Sequence, residues 1–196
     1  MGCIIWHKNL LQKQNLLYTK MVRGFSMQKI AKFSKVSQTQ FVKDYTDTFG
    51  CNQDVADKVY QAIKLPQRAT TGSAGYDFFS TATIELKAGE GAKIPTGIRA
   101  EIADGWLLAV FPRSGLGFKY RLQLDNTVGI IDSDYFYSDN EGHIFIKITN
   151  DSKSDKVVSL SEGMAFAQGI FLPFGITVDD NVTATRNGGF GSTDKK

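Results

Sequence analysis

The sequence predicts an all-β fold, a barrel or sandwich of short strands. Three observations carry that prediction. Short runs rich in β-branched and aromatic residues recur between turn signals from Gly72 to Phe174. His143 to Thr149 alternates cleanly, with Ile144, Ile146 and Ile148 on one face. Glycine is abundant, proline scarce and Phe and Tyr plentiful (19, 4, 14 and 7 of 196 residues), which suits a turn-rich β protein more than a helical bundle. The length is enough for one domain with a sizeable core.

Taken in order, residues 27–42 supply a first strand, with Ile30, Phe33, Val36 and Phe41 as apolar contacts. Asn52 to Lys64 reads as a short helix. Asn52 caps it, Val55, Val59 and Ile63 recur at four-residue spacing, and Leu65-Pro66 ends it. Tyr76 to Ser80 and Thr83 to Leu86 are strands, followed by a turn at Ala88-Gly89-Glu90-Gly91. Gly97 to Ile102 and Gly105 to Phe111 are the next strands, and Pro112 closes the second. Leu122 to Leu124 and Val128 to Ile131 flank a hairpin tip at Asp125-Asn126-Thr127. Val157-Val158 and Met164 to Phe174 complete the set. From Asn187 the tail is Gly-rich and polar and reads as a flexible arm.

Charge and cysteine content narrow the function classes. The net charge of +3 is uneven: residues 1–26 hold Lys8, Lys13, Lys20 and Arg23 and no acid, leaving the remainder near −1. The body therefore lacks the basic footprint of stable nucleic-acid binding. Cys3 and Cys51 make neither a disulfide framework nor a zinc site, and a reducing, cytoplasmic compartment is expected. No apolar run approaches the ~18 residues of a membrane span. Residues 1–26 lack a secretory pattern and match acylation and transit signals poorly, so they read as a disordered or loosely helical extension. Met27 is a candidate translation start.

Five segments carry candidate chemistry. In Gly129-Ile130-Ile131-Asp132-Ser133-Asp134-Tyr135 an apolar arm ends on an acid, with an aromatic ring three residues on. A carboxylate held by rigid backbone at the solvent edge is well placed as a general base. In Pro112-Arg113-Ser114-Gly115-Leu116-Gly117 a strand ends in a turn with two glycines, a hydroxyl and a guanidinium. Such a turn can form an anion nest, although a plain loop reads the same way. Ala74-Gly75-Tyr76-Asp77 and Gly163 to Gln168 are weaker, each a strand with one polar candidate. The tail Arg186-Asn187-Gly188-Gly189-Phe190-Gly191-Ser192-Thr193 joins glycines, phosphate donors and a ring that could face a base.

In this order the five segments resemble the trimeric deoxyuridine triphosphatase (dUTPase) family over about residues 66–193. The resemblance implies a jelly-roll-like β-barrel of the β-clip type over residues 27–185. Residues 42–64 then form an insertion with a short helix, and residues 186–196 a flexible arm closing the site. It implies that Asp132 activates water against the α-phosphorus of dUTP, and that Tyr135 packs on the deoxyribose and excludes a 2′-hydroxyl. Asn126 and the backbone of Val128, Gly129 and Ile130 would read uracil. Arg113, Ser114, Gly115 and Gln168 would contact phosphate, and Asp77 would support them. Arg186, Phe190, Gly191, Ser192 and Thr193 would belong to the closing arm. Mg²⁺ would ride on the triphosphate with mostly water ligands and no dedicated protein cage. Three subunits would share each site.

The chain departs from the family pattern at Phe136-Tyr137 and the acidic stretch Ser138 to Glu141, and at Ala165, where the family usually has Arg. The arm also has one residue fewer between Arg186 and the Gly pair than many members. Two rivals share the fold: a dCTP deaminase, and a non-catalytic regulator binding a protein partner through residues 42–64.

Overall fold

The hydrophobic pattern organises eleven strands and three α-helices in a computed structural model that describes residues 27–184 and Arg186. The first strand, β1 (Ala31–Lys35), is shorter than the expected 27–42. The chain then turns into α1 (Gln38–Phe49), which the sequence reading does not anticipate. Phe41, Tyr45 and Phe49 recur every four residues on one face, a helical spacing that their aromatic character disguises as strand. Ser37 caps the helix by accepting from Gln40 N–H, and Gly50 ends it at φ 65°.

The expected helix follows as α2 (Gln53–Ala62), with the Asn52 side chain accepting from Val55 N–H. Its buried face differs in part from the expected one. Val59 is buried, but Val55 points to solvent and Ala56 takes the inner place. Together Val36, Phe41, Tyr45, Ala56 and Val59 form a small core between the helices.

The strands are β2 (Tyr76–Phe79), β3 (Ile84–Leu86), β4 (Gly91–Pro95), β5 (Ile98–Ile102), β6 (Trp106–Pro112), β7 (Leu122–Leu124), β8 (Gly129–Ile131), β9 (Phe145–Asn150), β10 (Val158–Leu160) and β11 (Ala165–Pro173). β4 is unexpected, because its terminal Gly and Pro read as turn punctuation. The segment after β6, expected as a loop, forms α3 (Ser114–Tyr120). Two glycines lower its helix propensity, but buried Leu116 anchors it against the body. A 3₁₀ turn spans Ser133–Tyr137. The architecture is thus mostly β with several helices, a correction to the all-β expectation.

The strands form four sheets, ordered β1-β5, β10-β3, β2-β11-β6-β8 and β4-β9-β7. Among the described residues none of these sheets closes on itself. Ile144, Ile146 and Ile148 are almost fully buried, as the alternation predicts, and meet Phe78, Leu108 and Phe166 in the main core. No helix among the described residues is long and apolar enough to cross a membrane. The expected extension at residues 1–26 and the tail from Asn187 lie outside the described residues.

Candidate functional site

The four-stranded sheet β2-β11-β6-β8 gathers four of the five candidate segments. Asp77 on β2 stands opposite Gln168 on β11, and Gln168 in turn stands opposite Phe111 on β6. Just past β6, Arg113 reaches back, with its Nε 3.3 Å from Asp77 Oδ1. Gln168 Nε2 donates to the Pro112 carbonyl at 3.4 Å. Ser114 and Gly115 open α3 beside them and are exposed. One end of the sheet therefore presents a guanidinium, an amide and a hydroxyl, donors suited to phosphate oxygens.

Gly75 explains how Gln168 fits. A Cβ at position 75 would lie 2.6 Å from Gln168 Oε1. Sequence reasoning treats this glycine as ordinary, because the neighbour that needs the space is far away in the chain.

Asp132 stands at the end of β8, where the chain enters the 3₁₀ turn. Its carboxylate is about half exposed, 48%, and holds Arg186 through a 2.6 Å contact from Nη2 to Oδ2. Arg186 Nε also lies 3.0 Å from Asp134 Oδ1, a partner the sequence reading does not single out. The same guanidinium lies 5.9 Å from the centre of the Tyr135 ring. Tyr135 itself is only 5% exposed. Its hydroxyl donates to the His143 carbonyl at 2.7 Å and accepts from Asn140 Nδ2 at 2.9 Å. Burial raises the Tyr135 phenol above its ordinary value of 10.0, and the Asn140 bond draws it only part of the way back.

The hairpin tip is tied down at its base. Asp125 lies 2.7 Å from Lys147 Nζ and accepts from Thr149 Oγ1 at 2.6 Å, and these two partners hold its carboxyl below the ordinary value. Asn126 and Ile130 are exposed, Val128 is half-buried, and Gly129 is buried. Thr127 holds φ at 65°, an uncommon state for a β-branched residue.

The register separates two groups that the resemblance assigns to one site. Leu108 pairs with Ile131, so Asp132 stands level with Leu107, six residues before Arg113. At ~3.3 Å per strand residue the two lie roughly 20 Å apart along the sheet. Within one chain, Asp77, Arg113 and Gln168 meet at one end, and Asp132, Asp134, Tyr135 and Arg186 at the other. Phe190, Gly191, Ser192 and Thr193 lie outside the described residues.

Comparison with known proteins decides the family. The dUTPase family model matches residues 61–194. The chain belongs to the dUTPase family. A deoxyuridine 5'-triphosphate nucleotidohydrolase of Lactococcus lactis subsp. lactis is 40% identical over 134 residues, 67% of this chain and 88% of that protein. The crystal structure of dUTPase from Streptococcus mutans is 34% identical and covers 74% of this chain and 97% of its own, with a TM-score of 0.54. A point mutant of the dUTPase from phage phi11 of S. aureus, whose structure describes a coordinated structural Mg(II) ion, is 20% identical with a TM-score of 0.54. It covers 79% of this chain and 97% of its own, and at that identity it shows shared fold alone. The dUTPase match begins at residue 61, so α1 and most of α2 precede it.

Proposed function

We propose that the protein hydrolyses dUTP to dUMP and pyrophosphate, with Asp132 as the base that activates water against the α-phosphorus. The observation that carries this reading is the placement of Asp132. It is a half-exposed carboxylate at the end of strand β8, three residues before a tyrosine held by two hydrogen bonds, in a chain of the dUTPase family. A positioned carboxylate base contributes about 10²–10⁴-fold to such a reaction.

While Arg186 holds Asp132, the engaged carboxylate oxygen is not free to take a proton from water. A bound triphosphate offers the guanidinium several anionic oxygens, and Arg186 then exchanges one carboxylate for phosphate. Substrate binding thereby frees the base. The hairpin from Asn126 to Ile130 reads the uracil edge, and Tyr135 packs on the deoxyribose once Arg186 has moved. Rejecting a base by unpaired polar edges costs on the order of 10⁴–10⁵-fold, far more than one extra methylene.

Asp77, Arg113, Ser114, Gly115 and Gln168 complete the phosphate end, and they do so from another subunit. The roughly 20 Å between Arg113 and Asp132 favours a site assembled between copies of a homotrimer. The arm residues Phe190, Gly191, Ser192 and Thr193 close over substrate, and the subunits share a jelly-roll-like barrel. Mg²⁺ is the expected cofactor. The donors at the phosphate end are mainly a guanidinium, an amide and a hydroxyl, which suit phosphate oxygens, so the cation arrives on the triphosphate with water ligands. It would supply charge neutralisation on the phosphates.

A pyrophosphate-release assay across the four dNTPs, dUTP and UTP tests the reading. Release from dUTP alone is expected. Ammonia release from dCTP with dUTP untouched, or tight nucleotide binding without turnover, would reject it.

A further inference from the structure

Two irregularities of the sequence meet in space. The helices α1 and α2 precede most of the family match, and residues 136–141, after Tyr135, are where the resemblance leads one to expect a departure from the family pattern. The first packs onto the second. Ser37, the cap of α1, donates to Glu141 through its backbone N–H at 2.7 Å and its hydroxyl at 2.6 Å. Asp44, two turns into α1, lies 2.6 Å from His143 Nδ1. His143 is fully buried, and its Nε2 accepts from Gly97 N–H at 2.8 Å. With Nε2 accepting, the ring proton sits on Nδ1 and is donated to Asp44.

The carbonyl of the same His143 receives the Tyr135 hydroxyl. A continuous chain of short contacts thus runs from α1 through the buried imidazole to the aromatic ring beside Asp132. The seat of the helices is specific. Gly97 has φ +72°, and a Cβ there would lie 2.3 Å from Ile63 Cδ1 and 3.1 Å from Phe41 Cδ2. Phe41 also packs on the His143 ring, with centroids 6.0 Å apart.

We propose that the inserted helices position Tyr135 for the substrate sugar, with Asp44 and His143 as positioning residues that act through the tyrosine hydroxyl. This rests on the role given to Tyr135 in the proposed dUTP hydrolysis. Asp44 touches no substrate. It fixes the imidazole, the imidazole fixes residues 140–143, and that loop fixes the ring. A purely structural pair would hold α1 to the body and leave sugar discrimination unchanged.

Two measurements on the full chain test the proposal. The first compares amide hydrogen exchange of substrate-free wild type and Asp44→Ala. Amides of residues 134–144 should exchange roughly tenfold faster in the variant while β6 and β11 stay protected. Unchanged exchange at 134–144 overturns the proposal whatever the enzyme's activity. The second measures kinetics with dUTP and UTP. Asp44→Ala should raise KM for dUTP about tenfold, narrow the dUTP-over-UTP preference, and leave kcat within about twofold.

Asp44→Asn, which retains an acceptor for Nδ1–H, should recover most of that loss. In a Tyr135→Phe background Asp44→Ala should add less than about twofold, because the two act along one path. Faster exchange with unchanged KM and preference, or full additivity with Tyr135→Phe, overturns the positioning role. If Asp44→Ala fails to fold, Glu141→Ala, which removes the acceptor of both Ser37 bonds, carries the same comparison. A wild-type chain that does not turn over dUTP rejects the proposed function, and the exchange data still decide whether α1 orders the loop.

Discussion

Arg186 and Asp132 form a direct ion pair, 2.6 Å from Nη2 to Oδ2, while Arg186 Nε lies 3.0 Å from Asp134 Oδ1. The residue expected to grip phosphate occupies the carboxylate expected to act as base. In the proposed reaction the two roles would conflict only until substrate binds. Arg186→Ala removes both the clasp and a phosphate ligand, and the phosphate contact should dominate. A charge-assisted bond is worth about 1.5–3 kcal/mol, so kcat/KM for dUTP should fall about 10–100-fold. Steady-state kinetics decide between the two roles, since a residue that only restrains Asp132 would give faster turnover when removed.

Asp132→Asn keeps the size and hydrogen-bonding shape of the side chain but removes its basicity. Turnover should fall about 10²–10⁴-fold while affinity for a non-hydrolysable dUTP analogue changes little. Near wild-type turnover would take Asp132 out of the mechanism.

Gly75→Ala tests the phosphate end by crowding. The added methyl would meet Gln168 Oε1 at 2.6 Å, and that atom is the tip of a flexible side chain. The amide should swing aside without moving β2 or β11, so thermal stability should change little. Loss of its phosphate contact should lower kcat/KM roughly tenfold. Unaltered kinetics would show that Gln168 does not touch substrate.

Most of the sheet was legible because its signals are local. Alternation at Ile144, Ile146 and Ile148 and the apolar run ending at Asp132 each sit in one short window. What escaped was set by distant partners. Phe41 and Tyr45 form a helix because they pack on Val59 and Ala56, and Leu116 overrides the two glycines of α3. The five segments pointed to the right family, but their order hid the opposed ends of β6 that separate Arg113 from Asp132. Asp44 and His143 lie 99 residues apart, and nothing in either neighbourhood marks them as partners.

The contacts of α1 should be sensitive to acid. Burial raises the Asp44 carboxyl, but bonds from His143 and Gln40 outweigh it, and its pKa lies below the ordinary 3.8. At Glu141 burial is likewise outweighed by the two bonds from Ser37, leaving it below 4.5. Both groups are depressed on folding, so the unfolded chain binds more protons as the pH falls. Their stabilisation is fully present above about pH 5 and is lost as the pH drops through the depressed folded values. Acid titration followed by hydrogen exchange should release α1 before the main sheet. Asp44→Asn combined with Glu141→Gln should flatten that dependence, and an unchanged acid profile would refute it.

The separation of Arg113 from Asp132 makes a sharper claim about assembly. If each site takes Asp132 from one copy and Arg113 from another, two damaged chains can repair one another. Asp132→Asn and Arg113→Ala should each be at least tenfold impaired as pure proteins. Co-expressed in equal amounts, random mixing places an intact Asp132 against an intact Arg113 in about one site in four. Activity should therefore recover to about a quarter of wild type, and light scattering should report three times the chain mass. A site built within a single chain gives no such recovery, because every copy carries one lesion. Mixed assemblies no more active than the average of their parents would place both residues in the same subunit's site, and would require the sheet to bend far from the register between β6 and β8.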